Sequence, residues 1–130
     1  MDKKIISTAG FFGMTAIILG AFGAHALKKV LTTDELATFE VGVKYQMYHA
    51  LFLLFIGLTP LLTAKTKKTI LALTITGVML FSGSIYLLST MSISKINFKT
   101  IGFLTPIGGA LLIAAWGLLL FQIAKKSDKN

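Results

Sequence analysis

The sequence predicts an all-α integral membrane protein, a four-helix bundle whose neighbouring helices are antiparallel. Two observations predict this fold class. Of the 130 residues, 55% are hydrophobic and only 14% are charged, and the mean hydropathy is +0.80, whereas a soluble domain carries about a quarter charged residues. The apolar residues also fall into four runs of the kind that cross the roughly 30 Å hydrocarbon layer of a bilayer. A chain of this length forms one domain.

The four predicted spans cover residues 5–27, 48–63, 69–90 and 101–124. Short connections join them, so successive helices are expected to be antiparallel and both termini to lie on one side of the membrane. An amphipathic helix is predicted over residues 34–47, because Thr32 or Thr33 can cap it and Asp34 and Glu35 fill its first turn. This helix continues into the second span, and it lies at the membrane interface or packs over the bundle end.

The charges favour a lipid bilayer as the partner and argue against nucleic acid. The net charge is +8, from 13 lysines and no arginine against 5 acidic residues. The lysines stand in short clusters between the apolar runs, as anchors for anionic headgroups do, whereas a nucleic-acid surface uses arginine for its bidentate contacts. Eight lysines fall on the side of the termini and five on the other side, which favours cytoplasmic termini.

Small residues predict where the helices touch, because lipid tails are as apolar as leucine and helix association in lipid depends on close approach. One face of the first span carries small residues at steps of four, three, four and four: Ala9, Gly13, Ala16, Gly20 and Ala24. We interpret this face as a helix-packing surface. A ligand groove lined by exposed backbone is the alternative interpretation.

Two further small-residue sites are predicted in the third and fourth spans. Gly83 stands between two serines in the third span. In the fourth span, Pro106 removes a backbone donor and predicts a bend, and Gly109 permits close backbone approach beside it. We predict that these residues also serve helix packing. Trp116 lies deep in the fourth span, so its indole N–H is expected to need a hydrogen-bond partner inside the bundle.

Polar residues inside or near a membrane are costly, and they are therefore the candidates for a functional site. The candidate polar cluster consists of His25, Glu40, Lys44, Tyr45, Gln46, Tyr48 and His49. Glu40 and Lys44 are four residues apart, in the better orientation for a helical ion pair. Antiparallel packing of the first two spans brings His25 and His49 toward the same leaflet. We expect the cluster to face protein or the interface and not the lipid tails.

Chemistry that needs a cofactor, a metal or a nucleophile finds little support in the sequence. The two histidines invite a haem interpretation, but helix rise places them at depths that differ by roughly 10 Å. Only Glu40 could join them as a metal ligand. The chain has no cysteine, and it carries no nucleophile elbow, no phosphate loop and no zinc-protease motif. We therefore predict no cofactor, no metal site and no enzymatic activity.

Four stretches in chain order resemble the signatures of one family of small membrane proteins, domain-of-unknown-function family 423. They are Gly20-Ala21-Phe22-Gly23-Ala24-His25-Ala26-Leu27, the nine residues from Val43 to Leu51, Phe81-Ser82-Gly83-Ser84-Ile85-Tyr86, and Thr105-Pro106-Ile107-Gly108-Gly109. The resemblance implies a multi-span protein of the bacterial plasma membrane, and it implies no established activity.

Two hypotheses about function follow from these features. The first is a non-catalytic structural or accessory membrane protein, in line with the small size, the packing glycines and the lack of a catalytic set. It implies a membrane-protein partner or a homo-oligomer. The alternative is a protein that binds or carries a lipid, a quinone or another small amphiphile at the polar cluster near one membrane face.

Overall fold

The computed structural model describes residues 2–127, and it describes side chains over residues 2–125. No β-strand occurs in this part of the chain. Four of its helices are long and apolar enough to cross a membrane, which confirms the predicted all-α membrane architecture. The α-helices are α1 (Asp2–His25), α2 (Thr33–Leu58), α3 (Ala64–Ser89), the single turn α4 (Met91–Ser94) and α5 (Leu104–Ser127).

The main contacts between the long helices follow chain order. α1 packs on α2, α2 on α3, and α3 on α5. The connections are short, so the successive helices are antiparallel. The apolar windows of α2 and α3 are each 44% buried inside the protein, against 22% for α1 and 17% for α5. Two inner helices therefore carry the core, and two outer helices keep most of their surface toward the surrounding medium.

α2 is one continuous helix that includes the predicted amphipathic segment. Its N-terminus is a capping box, in which the Thr32 hydroxyl accepts a hydrogen bond from the Glu35 N–H at 3.1 Å and Glu35 Oε1 accepts one from the Thr32 N–H at 2.9 Å. Phe39 and Gly42 are buried between neighbouring helices. The first half of α2 therefore packs within the bundle, rather than lying flat at the interface.

α2 ends at Leu58, five residues before the predicted end of the second span at residue 63. The cause is Pro60, whose ring disfavours helical backbone at the residue before it. Thr59 is accordingly extended, with φ −73° and ψ 136°. Thr63 then begins α3 by accepting a hydrogen bond from the Thr66 N–H at 3.2 Å.

The sequence predicted that Pro106 bends the fourth span. This prediction is wrong, because Pro106 lies in the first turn of a helix. α5 begins at Leu104, after a 3₁₀ turn over Lys99–Ile101, and continues to Ser127. N–H groups in the first turn have no acceptor within the helix, so proline costs little there. Pro106 is also exposed, which does not fit the helix-packing role predicted for it.

The small-residue face of α1 packs against α2 as predicted at most of its positions. Ala16 is fully buried. A Cβ atom built on Gly13 would lie 3.7 Å from Ala50 Cβ, and one built on Gly20 would lie 3.4 Å from Val43 Cγ1. These glycines therefore face the neighbouring helix at ordinary van der Waals distance.

The prediction for Ala24 is wrong, because that residue is exposed and Gly23 occupies the packing position. A Cβ atom on Gly23 would lie only 3.1 Å from the ring of Phe39. The contact face of α1 follows alternating steps of four and three residues, the 3.5-residue repeat of packed helices. The final step of four in the predicted series leaves this face.

The closest approach of α3 and α5 occurs at Gly77 and Gly108. A Cβ atom on Gly108 would lie 2.8 Å from the Gly77 carbonyl oxygen, so the two backbones touch directly. Gly109 lies beside this crossing. A Cβ atom built on it would lie 3.6 Å from the ring of Phe81, which is an ordinary van der Waals distance. The packing role predicted for Gly83 is wrong, because nothing lies within 4 Å of the position of its Cβ.

We predict that Gly108→Ala destabilises the protein by about 1–3 kcal/mol, since the added methyl group must push two helix backbones apart. Thermal unfolding in detergent, followed by circular dichroism, measures the effect. Gly10→Ala is the matched control, because a Cβ at Gly10 meets nothing within 4 Å. Equal melting temperatures for Gly108→Ala and Gly10→Ala would contradict the assigned crossing.

Candidate functional site

Gln46 connects three helices through its side-chain amide. Its Nε2 donates to the Phe12 carbonyl oxygen at 2.9 Å and to Thr15 Oγ1 at 2.7 Å, both on α1. Its Oε1 accepts a hydrogen bond from the hydroxyl of Tyr86 on α3 at 2.6 Å. Both amide N–H groups are therefore used, and the buried amide joins α1, α2 and α3.

A second polar contact joins α2 and α3 one turn from Gln46. Ser82 donates from its hydroxyl to the Gly42 carbonyl oxygen at 2.7 Å. The ring of Tyr86 lies against Gly42 so closely that a Cβ atom there would be 2.7 Å from Tyr86 Cε1. Gly42 thus lets Tyr86 reach Gln46, because any larger residue would hold the ring away.

His49 joins α2 to α5 through its two ring nitrogens. Its Nδ1 lies 2.7 Å from the Tyr45 carbonyl oxygen, which can only accept, so Nδ1 carries the proton. Its Nε2 therefore accepts, and the indole N–H of Trp116 donates to it at 3.1 Å. This contact supplies the bundle partner that the sequence predicted for Trp116.

An apolar groove of about 700 Å³ opens beside this pair, between α2, α3 and α5. Tyr45 and His49 line one side, Phe81 lines the second, and Trp116 and Gly117 belong to the third. A Cβ on Gly117 would meet nothing within 4 Å, so the missing side chain helps to open the groove. The volume lies within the range of small-molecule sites.

Aromatic rings pack against one another along this groove. The ring centroids of Phe52 and Trp116 are 4.2 Å apart, and those of Tyr45 and Phe81 are 5.0 Å apart. His49 meets Trp116 edge to face at 6.1 Å. Because both nitrogens of His49 already have partners, the groove offers mainly aromatic and aliphatic surface to a ligand.

A smaller cavity of about 220 Å³ lies beside the Gln46 amide, between α1 and α3. Gly83 lines this cavity together with Ser82 and Tyr86. The open space at Gly83 is therefore part of a cavity and not of a helix contact.

The structure brings together only part of the predicted polar cluster. Gln46 and His49 are buried, and Tyr45 stacks its ring on His49 with centroids 6.5 Å apart. The remaining members are exposed: His25, Glu40, Lys44 and Tyr48. Among the described side chains the ion pair present is Lys67–Asp2 at 3.1 Å, near the opposite end of the bundle. The ion pair expected between Glu40 and Lys44 is therefore not formed, although both side chains lie on the exposed side of α2.

The two histidines lie too far apart to share one iron atom. Gly23 packs on Phe39, and His25 and His49 lie on opposite sides of that level, about 18 Å apart in helix rise. Over residues 2–127 no group of three or more histidine, aspartate or glutamate side chains could hold a metal ion.

For three residues of this region the sequence predicted no role. Thr15 is an ordinary hydroxyl in an apolar helix, Tyr86 was one of several polar residues of the third span, and Phe52 looked like any core residue. The available signal was helical spacing: Tyr86 lies four residues from Ser82, so both face one neighbour.

Comparison with known proteins identifies the same family over most of the chain. Residues 19–109 match the profile described as protein of unknown function, DUF423. A UPF0382 membrane protein of Staphylococcus saprophyticus is 38% identical, with 95% of this chain and 98% of that protein covered. A UPF0382 inner membrane protein of Escherichia coli is 34% identical, with 99% and 95% covered. No solved structure gives a significant match.

We predict that Gln46→Leu lowers the free energy of unfolding by about 2 kcal/mol, since hydrogen bonds between membrane helices average about 0.6 kcal/mol and Gln46 makes three. Tyr86→Phe removes one of these bonds and is expected to cost about 0.6 kcal/mol. Denaturant titration in mixed micelles measures both changes.

Gln122→Leu is the matched control, because the other glutamine of the chain makes no side-chain hydrogen bond in the described structure. Tyr86→Phe should add little in a Gln46→Leu background, because the shared bond is already lost. Fully additive losses would contradict the network.

Proposed function

We propose, on the premise that this chain belongs to the DUF423 family of proteins of unknown function, that it is a non-catalytic accessory protein of the bacterial plasma membrane. The observation that carries the proposal is that the polar groups inside the bundle form contacts between its helices. Gln46, Ser82, Tyr86 and His49 each bond to another helix or to a side chain on it. These groups hold the bundle together, and none of them is positioned as an activated nucleophile beside a base.

The exposed surfaces of the outer helices support an accessory role. α1 and α5 bury about a fifth of their apolar windows or less within the protein. Ile17 on α1 and Ile113 on α5 are 65% and 74% exposed. A small protein with two such helices can contact a larger membrane protein laterally without losing its own core.

Native mass spectrometry after gentle extraction tests the accessory role. We expect a stoichiometric protein partner on the parent protein and equally on Gly117→Leu, because filling the groove leaves the outer helix faces intact. A stoichiometric small molecule without a protein partner would contradict the proposal.

A second candidate function is binding of a small amphiphile, and the groove of about 700 Å³ specifically favours it. The groove lies within the helices that span the membrane, and its aromatic and aliphatic lining suits a hydrocarbon chain. Tyr45 lies at the edge of the groove, and 40% of its residue surface is exposed. The polar group of an amphiphile could bond there while its chain fills the groove.

Trp116 is the single tryptophan of the chain, and its fluorescence therefore reports on the groove. We predict that phosphatidylglycerol with brominated acyl chains quenches it in a saturable way at low mole fraction. Gly117→Leu should abolish the saturable component, whereas Gly10→Leu should keep it. Quenching that rises only in proportion to the mole fraction in all three proteins would show ordinary contact with bulk lipid.

The orientation with both termini in the cytoplasm is proposed as well. The lysine asymmetry, eight residues against five, supports it through the preference of cytoplasmic segments for positive charge.

A further inference from the structure

One side of α2 remains uncovered along its whole length, and it carries two charges. This outer α2 face points away from α1 and α3 and borders α5 only at Phe55. Its members follow at steps of four, four, three and four. They are all exposed: Glu40, Lys44, Tyr48, Leu51 and Phe55.

The charges of this face lie within the length of a membrane span. Helix rise places Lys44 about 21 Å and Glu40 about 27 Å from Leu58, where α2 ends, and the hydrocarbon layer is about 30 Å thick. Charged side chains in such positions are rare, and they pair with one another or with other protein groups. Within the described side chains neither Glu40 nor Lys44 has an ionic partner.

We propose that the outer α2 face binds the same face of a second copy of this chain. Both copies insert in the same orientation, so the two-fold axis runs along the membrane normal and the two α2 helices lie parallel. Glu40 then lies about 6 Å in helix rise from Lys44 of the partner subunit, an offset that the long lysine stem spans. The symmetry repeats this pair, and Tyr48, Leu51 and Phe55 extend the contact as an apolar seam.

Charge complementarity selects a second copy over other occupants. The long side chain of Lys44 can extend toward an anionic lipid headgroup and match its charge. The same headgroup would repel Glu40. An unrelated protein would need an acid and a base at the matching spacing and depth. A second copy supplies both charges in the required order, and the proposal is independent of the accessory role.

Disulfide cross-linking tests the face, because the natural chain has no cysteine. Leu51→Cys places a thiol near the two-fold axis, and Met14→Cys places one on α1 at matched exposure, 57% against 56%. In native membranes treated with copper phenanthroline, we expect a cross-linked dimer from Leu51→Cys about tenfold more abundant than from Met14→Cys. Equal yields from the two variants would overturn the proposal.

Charge reversal in the Leu51→Cys background separates ionic pairing from random collision. Glu40→Lys alone and Lys44→Glu alone should each lower the cross-linked fraction about tenfold, because both contacts across the two-fold axis become repulsive. The double reversal within one chain should restore it. Co-expression of the two single variants should restore it too, as a mixed dimer, because each then faces the opposite charges.

The mixed dimer keeps the test independent of folding. A reversed variant that fails to fold cannot cross-link with either partner, whereas two folded, mutually repelling copies regain cross-linking when combined. Indifference of the Leu51→Cys cross-link to all these charge changes would overturn the ionic contact between the two copies. Thermal unfolding of each purified variant in detergent verifies that the bundle is intact.

Discussion

The direct contact of helix backbones is the constraint on which the rest of this structure depends. Burial of apolar surface does not draw helices together in lipid, so association relies on close packing and on hydrogen bonds between helices. Gly77 and Gly108 let α3 and α5 meet at backbone distance, and Gly42 lets Tyr86 lie against α2. The bonds from Tyr86 to Gln46 and from Ser82 to Gly42 span the two helices that Gly42 lets come this close.

The sequence predicted the four helices that can span a membrane, because hydropathy and length respond to the same bilayer that the helices must cross. The capping segment at Thr32 and, apart from Ala24, the small-residue face of α1 were also predicted correctly, since both are local patterns. The predicted end of α2 lay too late, although Pro60 indicates where the helix stops. Pro106 was assigned to a helix interior because the predicted start of α5 lay three residues too early. Apolar runs continue through helix ends, so hydropathy alone does not fix these boundaries.

The polar cluster was harder to predict than the fold, because all its members except His25 lie on one helix and differ only in direction. Residues 44 to 49 turn through more than a full circle of α2. Gln46 and His49 point inward and make their bonds, whereas Lys44 and Tyr48 point outward. Which side is inward depends on where α1, α3 and α5 pack. The hydroxyl of Thr15 and the ring of Tyr86 enter the site from those other helices, so one helix pattern could not identify them.

The pairing of the helices divides the molecule into two hairpins. α1 holds mainly to α2, and α5 holds mainly to α3. During synthesis the first hairpin can therefore assemble before α3 has left the ribosome, and the second can close on its own crossing at Gly77 and Gly108. The last event of assembly is then the docking of two preformed hairpins, and the surfaces that meet in it are the ones where Tyr86 bonds to Gln46 and Ser82 bonds to Gly42. The bonds of Tyr86 and Ser82 thus form at the final step, where they fix the register between two halves that have each already formed.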